Sequence, residues 1–287
     1  MVPETTSSRR RFLQWTGAAA VSLSWISRPV SAAKRGESSR KHSPGKGLKL
    51  GVTSYSFRGV DLDHALAMTK RVGLKHISLK SVHLPLDASP EQIAATAAKV
   101  RQAGLDFYGV GVVNMQKPAE VSQAFDYAKA AGVRVIIAAP TAEMLPLVDE
   151  KVKQYDLQVA IHNHGPTDKH FPTPESVYRK IEALDRRIGL CIDIGHTVRV
   201  GADLIRSVEK YGDRLLDIHM KDVTEASPKG KEIQVGRGII DIPGFLRALV
   251  KVHYTGVVAF EYEPEPQDPV VGLAESVGYT RGVLAML

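Results

Sequence analysis

The chain has 287 residues, of which 44% are hydrophobic and 24% charged, with a formal net charge of +7. That is ample apolar material for a sizeable core, in one large α/β domain or two small ones. A single cysteine, Cys191, excludes an intramolecular disulfide and any multi-cysteine zinc site. The charge is unevenly placed: residues 1–47 carry nine Lys/Arg against two Asp/Glu, a balance of +7, whereas residues 48–287 carry 29 of each. The folding portion is therefore formally neutral. It lacks the general attraction of a basic domain for phosphate backbones and predicts no nucleic-acid partner.

At the N-terminus, Ser8-Arg9-Arg10-Arg11-Phe12-Leu13-Gln14 resembles a twin-arginine export signal. Residues 15–26 follow as a mildly apolar stretch broken by Thr16, Gly17, Ser22 and Ser24; its 12 residues are too few to span a bilayer, which takes roughly 20. Val30-Ser31-Ala32 has the small-x-small pattern of a cleavage site, so residues 1–32 are expected to be a removable signal peptide. Residues 33–47, rich in Lys, Arg, Ser and Gly, read as a flexible basic linker. The resemblance implies a periplasmic or otherwise exported protein, by a route used by chains that fold first, often around a cofactor. No later apolar segment is long enough to cross a membrane, so no stable insertion is expected after cleavage.

From residue 48 onward, short apolar runs alternate with segments of helical spacing. The runs are residues 48–54, 76–80, 107–113, 133–138, 158–162, 189–193, 215–220 and 257–261. Apolar residues recur at helical intervals over 62–72, 91–103, 118–131, 145–155, 175–184, 202–211 and 242–252, and a short last helix is expected after Asp268. Ser89-Pro90 and Thr173-Pro174 each place an N-cap before a proline at the first helical position. Gly73, Gly104 and Gly132 each stand between a helix and the next strand, where a left-handed cap is wanted. Continuous Val/Ile/Leu runs separated by single helices indicate a parallel sheet buried on both faces. Eight such units over residues 48–287 predict a single-domain (β/α)8 TIM barrel. A doubly wound sheet fits less well, since no Gly-x-Gly-x-x-Gly follows the first run.

In such a barrel, ligands bind where the strands end. The sixth run, Leu190-Cys191-Ile192-Asp193-Ile194-Gly195-His196, passes from apolar residues to Asp193 and His196. Cys191 reads as a small buried hydrophobe. The fifth ends His162-Asn163-His164-Gly165, the seventh reads Asp217-Ile218-His219-Met220-Lys221-Asp222, and the eighth ends Glu261-Tyr262-Glu263. Lys80 ends the second, with His83 just beyond. Singly, His219 reads as a hydrogen-bonded barrel histidine and Glu261 as a carboxylate paired with a lysine. Coincidence at four strand ends points instead to a mixed N/O site for one divalent ion, Mn, Co, Zn or Fe rather than Ca.

This pattern resembles the xylose isomerase-like TIM-barrel family of sugar phosphate isomerases and epimerases, over nearly all of residues 48–287. The resemblance implies one metal held by Glu, Asp, His and Glu on strands five to eight. Carried over by motif, Asp193, His219 and Glu261 are ligands. Histidine stands where relatives read Glu-Asn-His, so His162 takes the fifth place, with His164 the other candidate on that strand. Gly236-Arg237-Gly238-Ile239-Ile240-Asp241 matches the family's Gly-x-Gly-x-x-Asp loop, and His164 and His196 match positions that usually contact substrate. Losing the fifth-strand glutamate leaves one carboxylate base on that axis, which departs from two-base epimerisation while keeping metal binding.

The implied chemistry is removal of the proton beside a sugar carbonyl, with a divalent ion stabilising the enediolate. His164 and His196 are candidate proton-transfer groups, joined by Glu261, and Lys221 is a candidate for steadying an oxyanion. Lys80, His83, Asn163 and Arg237 are candidates for substrate contact; for Arg237 a surface-loop role fits equally well. The leading expectation is a sugar isomerase or epimerase acting on a small carbohydrate. The second is a lyase or hydratase acting on 3-keto-glycosides, which the export signal favours slightly. An endonuclease IV-like nuclease and a non-catalytic sugar-binding barrel follow well behind. A homo-oligomer is compatible with the sequence but not indicated by it.

Overall fold

A strand that is apolar on both faces is stable only when both are covered, and the eight aliphatic runs meet that need by closing into a ring. The computed structural model describes residues 47–287; the expected signal peptide, and all of the linker but its last residue, lie outside the described residues. The strands are β1 (Lys49–Thr53), β2 (His76–Leu79), β3 (Asp106–Met115), β4 (Val135–Pro140), β5 (Gln158–His162), β6 (Ile188–Asp193), β7 (Leu215–Met220) and β10 (Val257–Phe260), with a two-stranded excursion of β8 (Asp222–Val223) and β9 (Glu232–Ile233) after β7. The ring order is β1-β10-β7-β6-β5-β4-β3-β2, every neighbouring pair is parallel, and the result is a single-domain TIM barrel.

Around it stand α1 (Leu62–Arg71), α2 (Pro90–Gln102), α3 (Pro118–Ala131), α4 (Leu145–Tyr155), α5 (Pro174–Ile181), α7 (Leu204–Tyr211), α8 (Ile242–Lys251) and α9 (Val270–Met286), with the short α6 (Ile194–Arg199) directly on the end of β6. The cap chemistry acts as expected. Ser89 accepts the Gln92 N–H while the Gln92 side chain accepts the Ser89 N–H, and Thr173 and Ser176 repeat this reciprocal pair. Gly73, Gly104 and Gly132 all adopt positive φ. The last helix differs from expectation: α9 has 17 residues. Glycines at 272, 278 and 282 weaken its helical signal, but Val270, Leu273, Ser276, Val277 and Thr280 form one buried stripe, and packing outweighs propensity. Gly272 allows the Tyr262 hydroxyl to approach within 2.0 Å of where a β-carbon would stand. Among the described residues, no helix is long and apolar enough to cross a membrane.

Strand side chains alternate, and the two sets form separate cores. Ile136, Ile161, Ile192, Ile218 and Phe260 pack outward beneath the helices. Val135, Ile137, Ala160, Cys191, Val257 and Ala259 fill the barrel interior with Tyr108. One inward step beyond this inner layer lie His162, Asp193, His219 and Glu261: each is two residues after Ala160, Cys191, Asp217 and Ala259. Register aligns them further, with His162 opposite Cys191 and Asp193 opposite His219. Glu261 follows β10, its N–H donating to Met220 O at 3.1 Å.

Candidate active site

The inward phase of four strands brings His162, Asp193, His219 and Glu261 together, and each offers a ligand atom within 4.8 Å of the others. All four are at most 5% exposed. His162 Nε2 lies 3.4 Å from Asp193 Oδ2, and His219 Nδ1 lies 3.1 Å from Glu261 Oε2. Asp193 divides its labour: Oδ1 accepts the His196 N–H at 2.7 Å and caps α6, leaving Oδ2 facing the cluster. Asp193 Oδ2 and His162 Nε2 are buried without a well-aligned hydrogen bond, although the Lys221 ammonium lies 3.1 Å from Asp193 Oδ2. Two such donor atoms, one carboxylate and one imidazole, are what a cation would satisfy.

The protonation states agree. Burial holds His162 well below the usual histidine range, so one ring nitrogen keeps a free lone pair. For Asp193 and Glu261 burial alone would raise the carboxyls; instead Lys221 and His196 hold Asp193 low, and His219 and Lys221 hold Glu261 low. The neutral imidazole of His162 beside ionised Asp193 and Glu261 suits one divalent ion of the Mn, Fe, Co or Zn kind. Burial opposes charge on His219 but Glu261 raises its pKa, so an ion there would have to displace the His219 proton. Cys191 Sγ also lies within reach of His162 and His219, but burial and Asp217 push its thiol well up, so it stays protonated. One layer below, burial pushes Asp217 up to about 7, and the Tyr108 hydroxyl donates to it at 3.3 Å.

Lys221 is no solvated strand-end lysine. It is 4% exposed, and its Nζ sits 2.9 Å from Glu261 Oε2, 3.0 Å from Glu263 Oε1 and 3.1 Å from Asp193 Oδ2. Its stem passes over Gly195, where a β-carbon would come within 2.9 Å. Burial opposes its charge, but Asp193 and Glu261 push its pKa well above the usual value. A fixed ammonium here can stabilise negative charge that develops on a ligand.

Above the cluster opens a cavity of about 400 Å³, lined in part by His164, His196, Lys80 and Lys221. His164 Nδ1 is 3.3 Å from His162 Nδ1, and the His164 and His196 rings are 5.8 Å apart. Burial, then His196, lower the His164 pKa and keep it in the base form. Lys80 lies 5.0 Å over the Tyr55 ring, and burial lowers its pKa.

Three expected substrate contacts are placed elsewhere. His83 is bonded through Nε2 to Val60 O at 3.0 Å and does not line the cavity. Asn163 turns outward from the interior phase and is buried behind Asp193, where its carbonyl accepts the Asp193 N–H at 3.1 Å. Arg237 pairs with Glu275 on the surface. Its loop is organised by Asp222, whose carboxylate accepts the N–H groups of Val223, Gly236, Gly238 and Ile240, while Asp241 caps α8. The Gly-x-Gly-x-x-Asp motif is therefore architectural in this chain.

The cavity also contains Tyr55, Val112, Arg199, Glu232 and Glu263, which the sequence reading did not select. Arg199 had a signal, standing three residues after His196 on the α6 face that begins at Asp193. Glu232 had none, because only the excursion of β8 and β9 carries it back over the barrel mouth.

An eight-stranded barrel with buried His and carboxylate donors at its C-terminal rim, opening on a small cavity, defines a TIM-barrel enzyme whose site could hold a metal ion. More particularly, the chain belongs to the xylose isomerase-like TIM barrel family, whose profile matches residues 60–282. Among named relatives, it is similar to the inosose dehydratase of Bacillus velezensis, 28% identical over 129 residues, which are 39% of this chain and 43% of that protein. The match thus spans less than half of that relative's length. Among solved structures, the IOLI protein with a bound zinc atom superposes with a TM-score of 0.71 at 18% identity, covering 83% of this chain and 99% of that one. L-ribulose 3-epimerase superposes with a TM-score of 0.69 at 16% identity, covering 83% and 95%. At these identities the structural likenesses show the fold.

Proposed function

We propose that this chain is a divalent-metal-dependent enzyme that removes the proton beside the carbonyl of a keto-sugar and resolves the resulting enolate by expelling an oxygen substituent from the next carbon. The observation that carries this is the convergence of His162, Asp193, His219 and Glu261 on one point at the floor of a cavity that also holds proton-transfer groups. A divalent ion held there would polarise the carbonyl and stabilise enolate charge. His164, neutral and facing the cavity, is placed to take the proton, with His196 beside it. Lys221 keeps Asp193 and Glu261 ionised and presents its ammonium to developing negative charge. The zinc in the IOLI structure is consistent with a metal in this site, whose identity the donor set leaves open.

Elimination is favoured over the isomerase or epimerase outcome by two observations. The named relatives are inosose dehydratases. His162 also stands where the family resemblance implies a glutamate, which removes one of two carboxylate bases. Isomerisation or epimerisation, the leading expectation from the sequence, becomes the second reading; it is kept because His164 and His196 together form a pair able to move a proton between neighbouring carbons.

The test is proton NMR in D2O on metal-loaded protein, with a panel of free ketoses and a 3-keto-glucoside. Deuterium uptake beside the carbonyl is expected, with aglycone release from the glycoside. No uptake by protein shown to hold metal would overturn the proposal. We also propose export through the twin-arginine resemblance of residues 8–14; a variant with Arg9→Lys and Arg10→Lys that still leaves the cytoplasm would refute it.

A further inference from the structure

We propose that Glu232 is the general acid of this site, donating a proton to the departing oxygen. This rests on the elimination reading above and names a residue that neither motif nor metal cluster includes. Glu232 reaches the cavity from outside the barrel: β9 pairs antiparallel with β8, Val223 opposite Glu232, and the hairpin base is fixed by the Asp222 carboxylate. Its Oε1 accepts the Glu263 N–H at 2.8 Å, which fixes the carboxyl plane. Its Oε2 lies 3.6 Å from Lys221 Nζ, beyond hydrogen-bonding distance.

Counting charges around Lys221 shows why this carboxyl differs from its neighbours. Asp193, Glu261 and Glu263 each approach the ammonium more closely, at 3.1, 2.9 and 3.0 Å. Burial is the chief cause that favours its protonated form, and the neighbouring Glu263 carboxylate adds to it, whereas Lys221, too far away for a hydrogen bond, pulls the other way. The balance brings its pKa to about 8. A carboxylic acid held neutral at physiological pH, facing a ligand cavity, can donate a proton. His164 and His196 come from the ends of β5 and β6, so acid and base sit on separate elements.

The step balances without any co-reactant. A base takes the proton from the carbon beside the ketone, and the C–H electron pair becomes a new C=C bond. The neighbouring C–O bond breaks with its pair staying on oxygen, and that oxygen takes the Glu232 proton. An unsaturated ketone and an alcohol or water leave; Glu232 regains its proton from solvent, and the base returns the one it took.

Glu232→Gln tests this, because the amide oxygen still accepts the Glu263 N–H but no acid proton remains. The full metal-loaded chain would be given two 3-keto-β-glucosides, one with a methyl aglycone and one with 4-nitrophenyl, whose leaving oxygen needs no protonation. The expected result is a loss of about 100-fold or more in elimination of the methyl glycoside. The nitrophenyl glycoside should stay within about fivefold of native, and deuterium uptake beside the ketone should persist with both. The infrared carbonyl band of protonated carboxyls expected in native protein at pH 7, to which Asp217 also contributes, should lose the Glu232 share of its intensity in the variant. Equal loss with both aglycones, or no loss with either, overturns the assignment. Native protein that neither exchanges deuterium nor eliminates overturns the enolisation reading and this assignment with it.

Discussion

Asn163 holds Asp193 by both ends of its peptide: the Asn163 carbonyl accepts the Asp193 N–H at 3.1 Å, and its amide donates at 3.2 Å to Thr197 Oγ1, whose hydroxyl donates to Asp193 O at 2.6 Å. The residue after one cluster member thus sets the position of another. Asn163→Ala leaves the Asp193 N–H buried and unpaired, so a stability loss of about 1–3 kcal/mol is expected in denaturant titration. Metal affinity should fall about 10- to 100-fold, as for other groups that orient a ligand. Unchanged affinity would show that Asp193 is held by other means.

One divalent ion per chain is expected by elemental analysis. His162→Ala and His219→Ala should each abolish stoichiometric binding. Chelation should lower the Tm of the native protein only, since an ion bound to the folded state at about 100 times its Kd adds roughly 2.7 kcal/mol. A Tm insensitive to both chelator and added metal would argue against the site.

Glu232 predicts a specific pH response. Its ordinary pKa of 4.5 is raised to about 8 in the fold. The acid form is lost as pH rises through about 8, so elimination should decline there, and Glu232→Gln should lack that alkaline limb. Between 4.5 and about 8 the folded chain binds the extra proton. Stability therefore falls with rising pH across that window, by at most about 1.36 kcal/mol per pH unit for this group, and the variant should flatten the slope.

Removing the Asp222 carboxylate should be costly. Four backbone N–H groups donate to it, from Val223, Gly236, Gly238 and Ile240. Asp222→Ala strands several of them, and a loss of about 3 kcal/mol or more is expected from equilibrium unfolding. A loss under about 1 kcal/mol would mean that the loop finds other partners.

Arg237→Ala should do little. Its partner Glu275 and its own side chain are both exposed, at 37% and 59%, and such pairs contribute about 1 kcal/mol or less. kcat/KM within about twofold of native is expected; a loss of about tenfold would return Arg237 to the list of substrate contacts.

Fold and cluster were legible because both are written in local pattern. A run such as residues 189–193 shows its strand by its apolar side chains and its site by where they stop. Counting in twos from Ala160, Cys191, Asp217 and Ala259 reaches all four cluster members. Asn163 misled for the same reason: the family motif drew attention to it, but its odd phase points it away from the interior. Arg237 lay in a motif whose glycines serve Asp222 rather than a ligand. Glu232 was illegible because two-residue strands have no periodicity, and only long-range pairing places it. The length of α9 was hidden by glycines whose cost is offset by a buried stripe that depends on the finished barrel.

The ring closes where β10 inserts between β1 and β7, and Glu261 is the first residue past that strand. A growing polypeptide that has emerged only as far as residue 256 already contains His162, Asp193 and His219, but neither the last donor nor the strand that shuts the cylinder. Capture of an ion by the full set would therefore have to wait for the strand that completes the barrel. A ribosome-stalled or clipped chain would be recognisable by its weak hold on metal, and the ion would serve as a seal on a finished molecule.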